Sequence, residues 1–483
     1  MEKTRPNIVL IVADQWRGDC IGSHGHPVVE TPNIDYLFQH GVAFTQAYSA
    51  VPSCIAARAA LMTGLSQRSH GRVGYQDRVP WTYQTTLAGE LAKAGYHTQC
   101  VGKMHVFPAR SLMGFHNVVL HDGYLHTERC GEKDYDLSDD YRIWLREKYG
   151  PRADYVDSGL GCNGYTVNPW PYNDLDHPTA WVTTQAIDFL RRRDTERPFF
   201  LKVSYHRPHP PLDPPKRWYD LYCDRALPET PVGDWATGET RTSSGYDSPR
   251  YFFNRSGDQI DRARRAYYAN LSFIDNQIIR LVQSLDEHGQ LDNSLILFMS
   301  DHGDMLFDHG FTAKGLGYAA SARVPCLMKF PEHWAGPTTH TVDAPVELRD
   351  IMPTLLAAAG VPVPAAVEGR NLIPLCTGKK DGPWREYVHG EHARGKLSNH
   401  WITNGKEMFI WYSQTGREQY FDLEKDPVNM NDLSHKWPNR VKYLRTCLVA
   451  ELKGREEGYV KAGKLVVGRK PQAVLREAGL EPR

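Results

Sequence analysis

Four separate apolar runs in this chain each stop at a group of polar side chains, and that pattern restricts the fold more than any other feature. NIVLIVAD ends at Asp14, GYHTQCVGKMH at Lys103 and His105, RPFFLKVSYHRPHPP at His206 and His209, and NSLILFMSDHGD at Asp301 and His302. Their cores do not alternate apolar with polar, so they do not read as strands with one wet face. Strands buried on both faces belong to parallel sheets covered by helices. Helical segments lie between the runs, the pattern of repeated βαβ units. In DRARRAYYANLSFIDNQIIRLVQSLDEHG, the residues Tyr267, Leu271, Ile274, Ile278, Leu281 and Leu285 recur in four- and three-residue steps, and Gly289 supplies a stop. TTLAGELAKAGYH predicts a shorter helix before its strand.

The predicted fold class is therefore α/β, a large mostly parallel sheet sandwiched by helices. Residues 115–180 read as a long irregular insertion rich in Gly, Pro, Tyr, Trp and Asp, more often a functional loop than a spacer. A Pro/Gly-rich stretch near 360–385 reads as a boundary. Beyond it, short strands with turns at Asn404-Gly405 and Thr415-Gly416 predict a small antiparallel sheet with a final helix. The expected division is a catalytic domain over 1–380 and a C-terminal subdomain over 381–483.

Lys+Arg and Asp+Glu both number 57 in 483 residues, so no global field points to nucleic acid or to an acidic membrane. An anionic substrate must then be held by local charge. Nine scattered cysteines without a C-x-x-C pair argue against a zinc ribbon and against a disulfide scaffold. No apolar segment reaches membrane length. The expectation is a cytoplasmic enzyme, or an exported one whose signal peptide is absent from this sequence. Composition leaves the oligomeric state open.

Open α/β sheets bind ligands beyond the carboxyl ends of their strands. The polar groups there sort into two sets. Asp14, Gln15, Asp301 and His302 offer mainly oxygen ligands with one imidazole, suited to a hard divalent cation; zinc would usually recruit more histidine or cysteine. Arg58, Lys103, His105, His209 and Lys314 are cations and proton carriers, suited to a tetrahedral anion in transfer. Together they indicate hydrolysis of a sulfate or phosphate ester. Cys54, on a polar turn in VPSCIAARAALMTG, is the candidate nucleophile position. C-x-A-x-R alone is a weak signal; its extension R-x-x-L-x-T-G, from Arg58 to Gly64, makes an accidental match improbable.

With PNIVLIVADQ, TPNIDYL, CIAARAALMTG, GKMH, PFFLKVSYHRPHPP, SDHGDM, AKG and YFDLEKDP in this order, the chain resembles the type I sulfatases of the alkaline-phosphatase superfamily. The resemblance implies that a maturation enzyme oxidises Cys54 to Cα-formylglycine, whose hydrate is a geminal diol. It also implies that Cys54 is accessible for processing. One diol oxygen attacks sulfur, with Arg58 and Lys103 holding the diol and sulfate oxygens. His209 and Lys314 hold sulfate and protonate the departing oxygen. His105 takes a proton from the second diol oxygen, so sulfate is expelled and the aldehyde regenerated. Asp14, Gln15, Asp301, His302 and the modified Cys54 form the implied metal site.

Two positions depart from the family pattern. Gln15 stands where many members carry a second aspartate, and the core reads C-x-A-x-R where C-x-P-x-R is commoner. Calcium is the expected cation, with manganese the alternative. A phosphonate monoester or phosphodiester hydrolase is the second enzymatic reading. A non-catalytic glycan-binding relative is disfavoured because Lys103, His105 and Lys314 are all present. For the substrate rim, His177, Trp170, Tyr172, His206 and Arg207 are expected beside the site, with His400 and Trp401 approaching from the C-terminal subdomain. Aromatics with hydrogen-bonding neighbours suit a sulfated saccharide.

Overall fold

The computed structural model describes residues 5–123, 125, 139–236, 256–378 and 382–481. The main sheet is built from β1 (Asn7–Asp14), β2 (Val42–Phe44), β3 (His97–Gly102), β4 (Asn117–Leu120), β5 (Phe199–Pro208), β6 (Ser294–Ser300), β7 (Cys326–Lys329) and β8 (Thr341–Val342). Its spatial order is β4-β3-β5-β1-β6-β7-β2-β8. Every neighbouring pair is parallel except those made by β7, which runs against both β6 and β2.

β1 lies at the centre with every residue buried. It pairs with β5 from Ile8↔Phe200 and with β6 from Asn7↔Ser294. Gly102 of β3 is level with Ser204 of β5. This register brings Asp14, Lys103, His209 and Asp301 to one edge. A bulge after Ala13 pairs Asp14 with Pro208, turning β1 out of its ladder at the site. Gly102 has φ 94°, and a Cβ there would lie 2.0 Å from the Ser204 carbonyl oxygen, so the chain can pass from β3 to Lys103 only through glycine.

Helices cover both faces. On one, α2 (Pro178–Arg192) packs on α3 (Gly257–Glu287), whose predicted stripe is fully buried. On the other lies α1 (Cys54–Thr63), an alanine-rich helix buried along its whole length that ends at the left-handed Gly64. The segment 115–180 is less irregular than expected, because Asn117–Leu120 joins the sheet as an edge strand and Asp140–Tyr149 is helical. Its residues 124 and 126–138, with Cys130, lie outside the described residues. The other eight cysteines are free thiols. No described helix is long and apolar enough to cross a membrane.

The second sheet is antiparallel, with β9 (Val388–His392), β10 (Asn399–Thr403), β11 (Glu407–Tyr412) and β12 (Glu418–Asp422) in order, under α4 (Pro438–Leu452). One face shares a core with the larger part of the chain: Trp401, Ile410 and Phe421 pack with Tyr48, Met305 and Tyr318. The chain then returns, as Leu475 N–H donates to the Gly71 carbonyl and Val73 N–H to that of Ala473.

Candidate active site

Cys54 is the first residue of α1, and its side chain meets the ends of β1 and β6. Its Sγ lies 3.1 Å from His302 Nε2 and 3.5 Å from Asp14 Oδ1. One ligand atom each from Asp14, Cys54, Asp301 and His302 lie within 4.8 Å of one another. All four residues are buried. His302 Nδ1 donates to the Gly303 carbonyl at 2.9 Å, which leaves the Nε2 lone pair facing the group. Two carboxylates, one imidazole nitrogen and the position-54 atom, withdrawn from water, fit a divalent cation.

Cations surround the carboxylates. Lys103 Nζ pairs with Asp14 Oδ2. Arg58 donates from Nε to Asp301 Oδ2 at 2.9 Å, and from Nη1 to the Lys103 carbonyl and Ser204 Oγ, each at 2.9 Å. Burial alone would raise the Asp14 carboxyl, but Lys103, His209, Arg58 and His302 outweigh it and hold Asp14 well below the usual carboxylate range. Burial would lower Lys103, and Asp14 reverses this. Burial pushes the Cys54 thiol up to about 11, reinforced by Asp14 and opposed by Lys314 and Lys103.

Through Cys54 the group borders a cavity that Lys103, His105, His209 and Lys314 also line, with Tyr75, Asp122, Cys162, Asn163 and His206 among its walls. His105 sits in the left-handed region at φ 57°. Asp122 Oδ1 holds that turn by accepting from Met104 N–H at 2.7 Å and His105 N–H at 2.9 Å. His209 Nδ1 donates to the Pro210 carbonyl. Burial, then the Lys314 charge, lowers His209 well below the usual histidine range. The residues expected from sequence to be catalytic or to hold a metal thus lie together at one place in the fold. Gln15 is adjacent: its N–H donates to Asp301 Oδ1 at 3.1 Å, while its side-chain oxygen accepts from Lys314 Nζ at 2.7 Å.

Two expectations need correction. Cys54 is not accessible in the folded chain, being 2% exposed where it borders the cavity. Of the proposed rim, only His206 lines the cavity. His177 is fully buried and caps α2, its Nδ1 accepting from Thr179 N–H at 3.1 Å. Arg207 is spent in a buried pair with Asp213, donating at 2.7 and 2.8 Å, and also donates to His206 Nδ1. Trp170 packs edge-on against His177 and Tyr172, and the Tyr172 hydroxyl donates to Asp157.

His400 and Trp401 are displaced for a different reason. Alternate residues of a strand face opposite ways. His400 stacks on Trp411 under α4, whereas Trp401 is buried against Gly317. The contacts to the Lys314 loop come from Asn399, which donates to the Gly315 carbonyl at 2.9 Å, and Arg394, which donates to that of Lys314. Asp122, Ser204, Tyr165 and Asp304 were missed; only their places after a strand or inside SDHGDM could have marked Asp122 and Asp304.

Fold and site define a hydrolase of the alkaline-phosphatase-like superfamily. The Sulfatase family model matches residues 6–361, and that of the N-sulphoglucosamine sulphohydrolase C-terminal region matches 307–456. An arylsulfatase of Clostridium perfringens is 50% identical over 473 residues, covering 96% of this chain and 98% of that protein. A choline-sulfatase of Rhizobium meliloti is 31% identical over 456 residues, covering 90% and 83%. Among solved structures, a phosphonate monoester hydrolase of Agrobacterium radiobacter superposes with a TM-score of 0.77 at 25% identity, covering 92% of this chain and 95% of that one. The chain belongs to the sulfatase family and is a sulfuric ester hydrolase.

Proposed function

We propose that the protein hydrolyses a sulfate monoester of a carbohydrate, using the hydrated formylglycine derived from Cys54 as nucleophile. The observation that carries this reading is the meeting of Cys54 with Asp14, Asp301 and His302 beside a cavity lined by Lys103, His105, His209 and Lys314. Asp14, Asp301 and His302, with Gln15 beside them, would hold calcium, or else manganese. A divalent cation there supplies Lewis-acid charge to the attacking oxygen.

The protein's own side chains do the rest. Arg58 and Lys103 hold the nucleophile and the sulfate oxygens against the strand ends. Lys314 and His209 face the ester from the cavity and protonate the departing alcohol oxygen. Burial and then the Lys314 charge keep His209 neutral; a bound sulfate ester offsets that charge and so favours the protonated form. His105, held by Asp122, takes the proton that frees sulfate from position 54. Because Cys54 is buried, its oxidation by a maturation enzyme would precede closure of the fold.

A second reading, phosphonate monoester hydrolysis, is supported by the likeness to the phosphonate monoester hydrolase of Agrobacterium radiobacter, at 25% identity and a TM-score of 0.77. The discriminating experiment measures kcat/KM on an aryl sulfate, an aryl phosphonate and a panel of defined sulfated saccharides, using protein with a verified aldehyde at position 54. A sulfated saccharide turned over in preference to the phosphonate supports the primary reading. Preference for the phosphonate replaces it with the second.

A further inference from the structure

We propose that Asp304 is a positioning residue that fixes which end of the Gln15 amide meets Lys314. Asp304 is completely buried and does not line the cavity. Its Oδ2 accepts from Gln15 Nε2 at 2.6 Å, its Oδ1 from Leu306 N–H at 2.8 Å, and both oxygens are within 2.8 Å of the Tyr165 hydroxyl.

Asp304 meets donors at both oxygens, from Leu306 N–H, the Tyr165 hydroxyl and Gln15 Nε2, so it takes the nitrogen end of the amide. That choice points the other end, Oε1, at Lys314 Nζ, 2.7 Å away. The reversed amide would set its NH2 group against the ammonium and its oxygen against Asp304, losing both bonds. The same carboxylate reaches Lys314 by a second path. Tyr165 donates to Asp304 and accepts from Ala313 N–H at 2.8 Å, so the residue before Lys314 is tied to Asp304 as well. Side chain and backbone of the cavity lysine are both referenced to one buried acid. The inference rests on the reading above, in which Lys314 assists the leaving oxygen.

The test exchanges the polar pattern in the metal-loaded, aldehyde-bearing enzyme. Asp304→Asn lets a side-chain NH2 face Gln15 and reverses its amide. Gln15→Glu sets acceptor against acceptor. The pair Gln15→Glu/Asp304→Asn restores a donor between them and leaves an oxygen for Lys314. Each single variant is expected to lose roughly 10–100-fold in kcat on an alkyl sulfate, the size of one hydrogen bond to a charged group. Losses on an activated aryl sulfate should be smaller, and the double variant should exceed both singles. In a Lys314→Ala background, Asp304→Asn should add little.

A single-variant loss equal on both substrates, a full additional loss without Lys314, or a double variant no better than the singles would overturn the proposal. If Asp304→Asn does not fold, Gln15→Glu carries the same comparison. If Lys314→Ala itself shows no leaving-group dependence, it is the reading of Lys314 that fails.

Discussion

Arg58 and Asp301 form a buried pair, Nε to Oδ2 at 2.9 Å, between the middle of α1 and the turn after β6. The same guanidinium lies 3.7 Å from Asp14 Oδ2 and donates to the Lys103 carbonyl. One side chain therefore couples the helix that carries position 54 to three strand ends. Losing either carboxylate should disturb both the cation site and the placement of the nucleophile.

Asp14→Ala and Asp301→Ala are expected to lower kcat by about 10³-fold or more, since each removes a hard anionic ligand. Chelation should reproduce that loss, and restoring calcium or manganese should reverse it in the unmutated protein only. Metal content by mass spectrometry, measured beside activity, checks this. Full activity in metal-free protein would falsify the ligand assignment.

His209 and Lys103 should respond differently to the leaving group. A sugar alkoxide needs a proton, whereas a nitrophenolate scarcely does. His209→Ala is expected to cost about 10²–10⁴-fold on a sugar sulfate and much less on an activated aryl sulfate. Lys103→Ala should depress both alike. Equal losses for His209→Ala on the two substrates would mean that it only holds sulfate.

The burial of Cys54 predicts an order of events. With the thiol form of the folded protein, an alkylating reagent should label exposed Cys223 and leave Cys54 untouched until denaturant is added. A maturation enzyme should convert the unfolded chain, or a peptide spanning the motif, and not the folded thiol form. Efficient conversion of the folded protein would contradict the geometry.

His177 and Arg207 should matter for stability more than for substrate. His177→Ala removes a helix cap, at a cost of about 1 kcal/mol. Arg207→Met leaves Asp213 buried without its guanidinium, for which about 3–5 kcal/mol is expected. Thermal unfolding should show both losses, while His177→Ala leaves KM for a small aryl sulfate unchanged. A large rise in KM with unaltered unfolding would return His177 to the substrate rim.

The strand ends were legible in the sequence because runs such as NIVLIVAD are buried on both faces and cannot alternate. The candidate groups Asp14, Lys103, His105, His209, Asp301 and His302 followed, since a parallel sheet collects its carboxyl ends at one edge, whereas Cys54, Arg58 and Lys314 lie off the strand ends and were marked by motif. The rim was not legible. Whether Asn399 or His400 faces Lys314 turns on a one-residue phase in a strand whose two faces are both covered. His177 looked like a loop residue because capping depends on where α2 begins. Asp122 and Asp304 act on backbone and side chains brought close only by the fold. The short strands Asn117–Leu120 and Thr341–Val342 carry too few residues to show a period.

The central claim is that position 54 works as an aldehyde and not as a thiol. Tryptic peptide 18–58 contains both Cys54 and Cys20, which provides an internal control. Mass spectrometry of protein made beside a maturation enzyme should show this peptide about 18 Da lighter, as sulfur and two hydrogens leave and one oxygen enters. Cys20 should remain alkylatable. Specific activity should scale with the converted fraction and vanish in Cys54→Ala. Full sulfatase activity from protein whose Cys54 is entirely an unmodified thiol would contradict the mechanism.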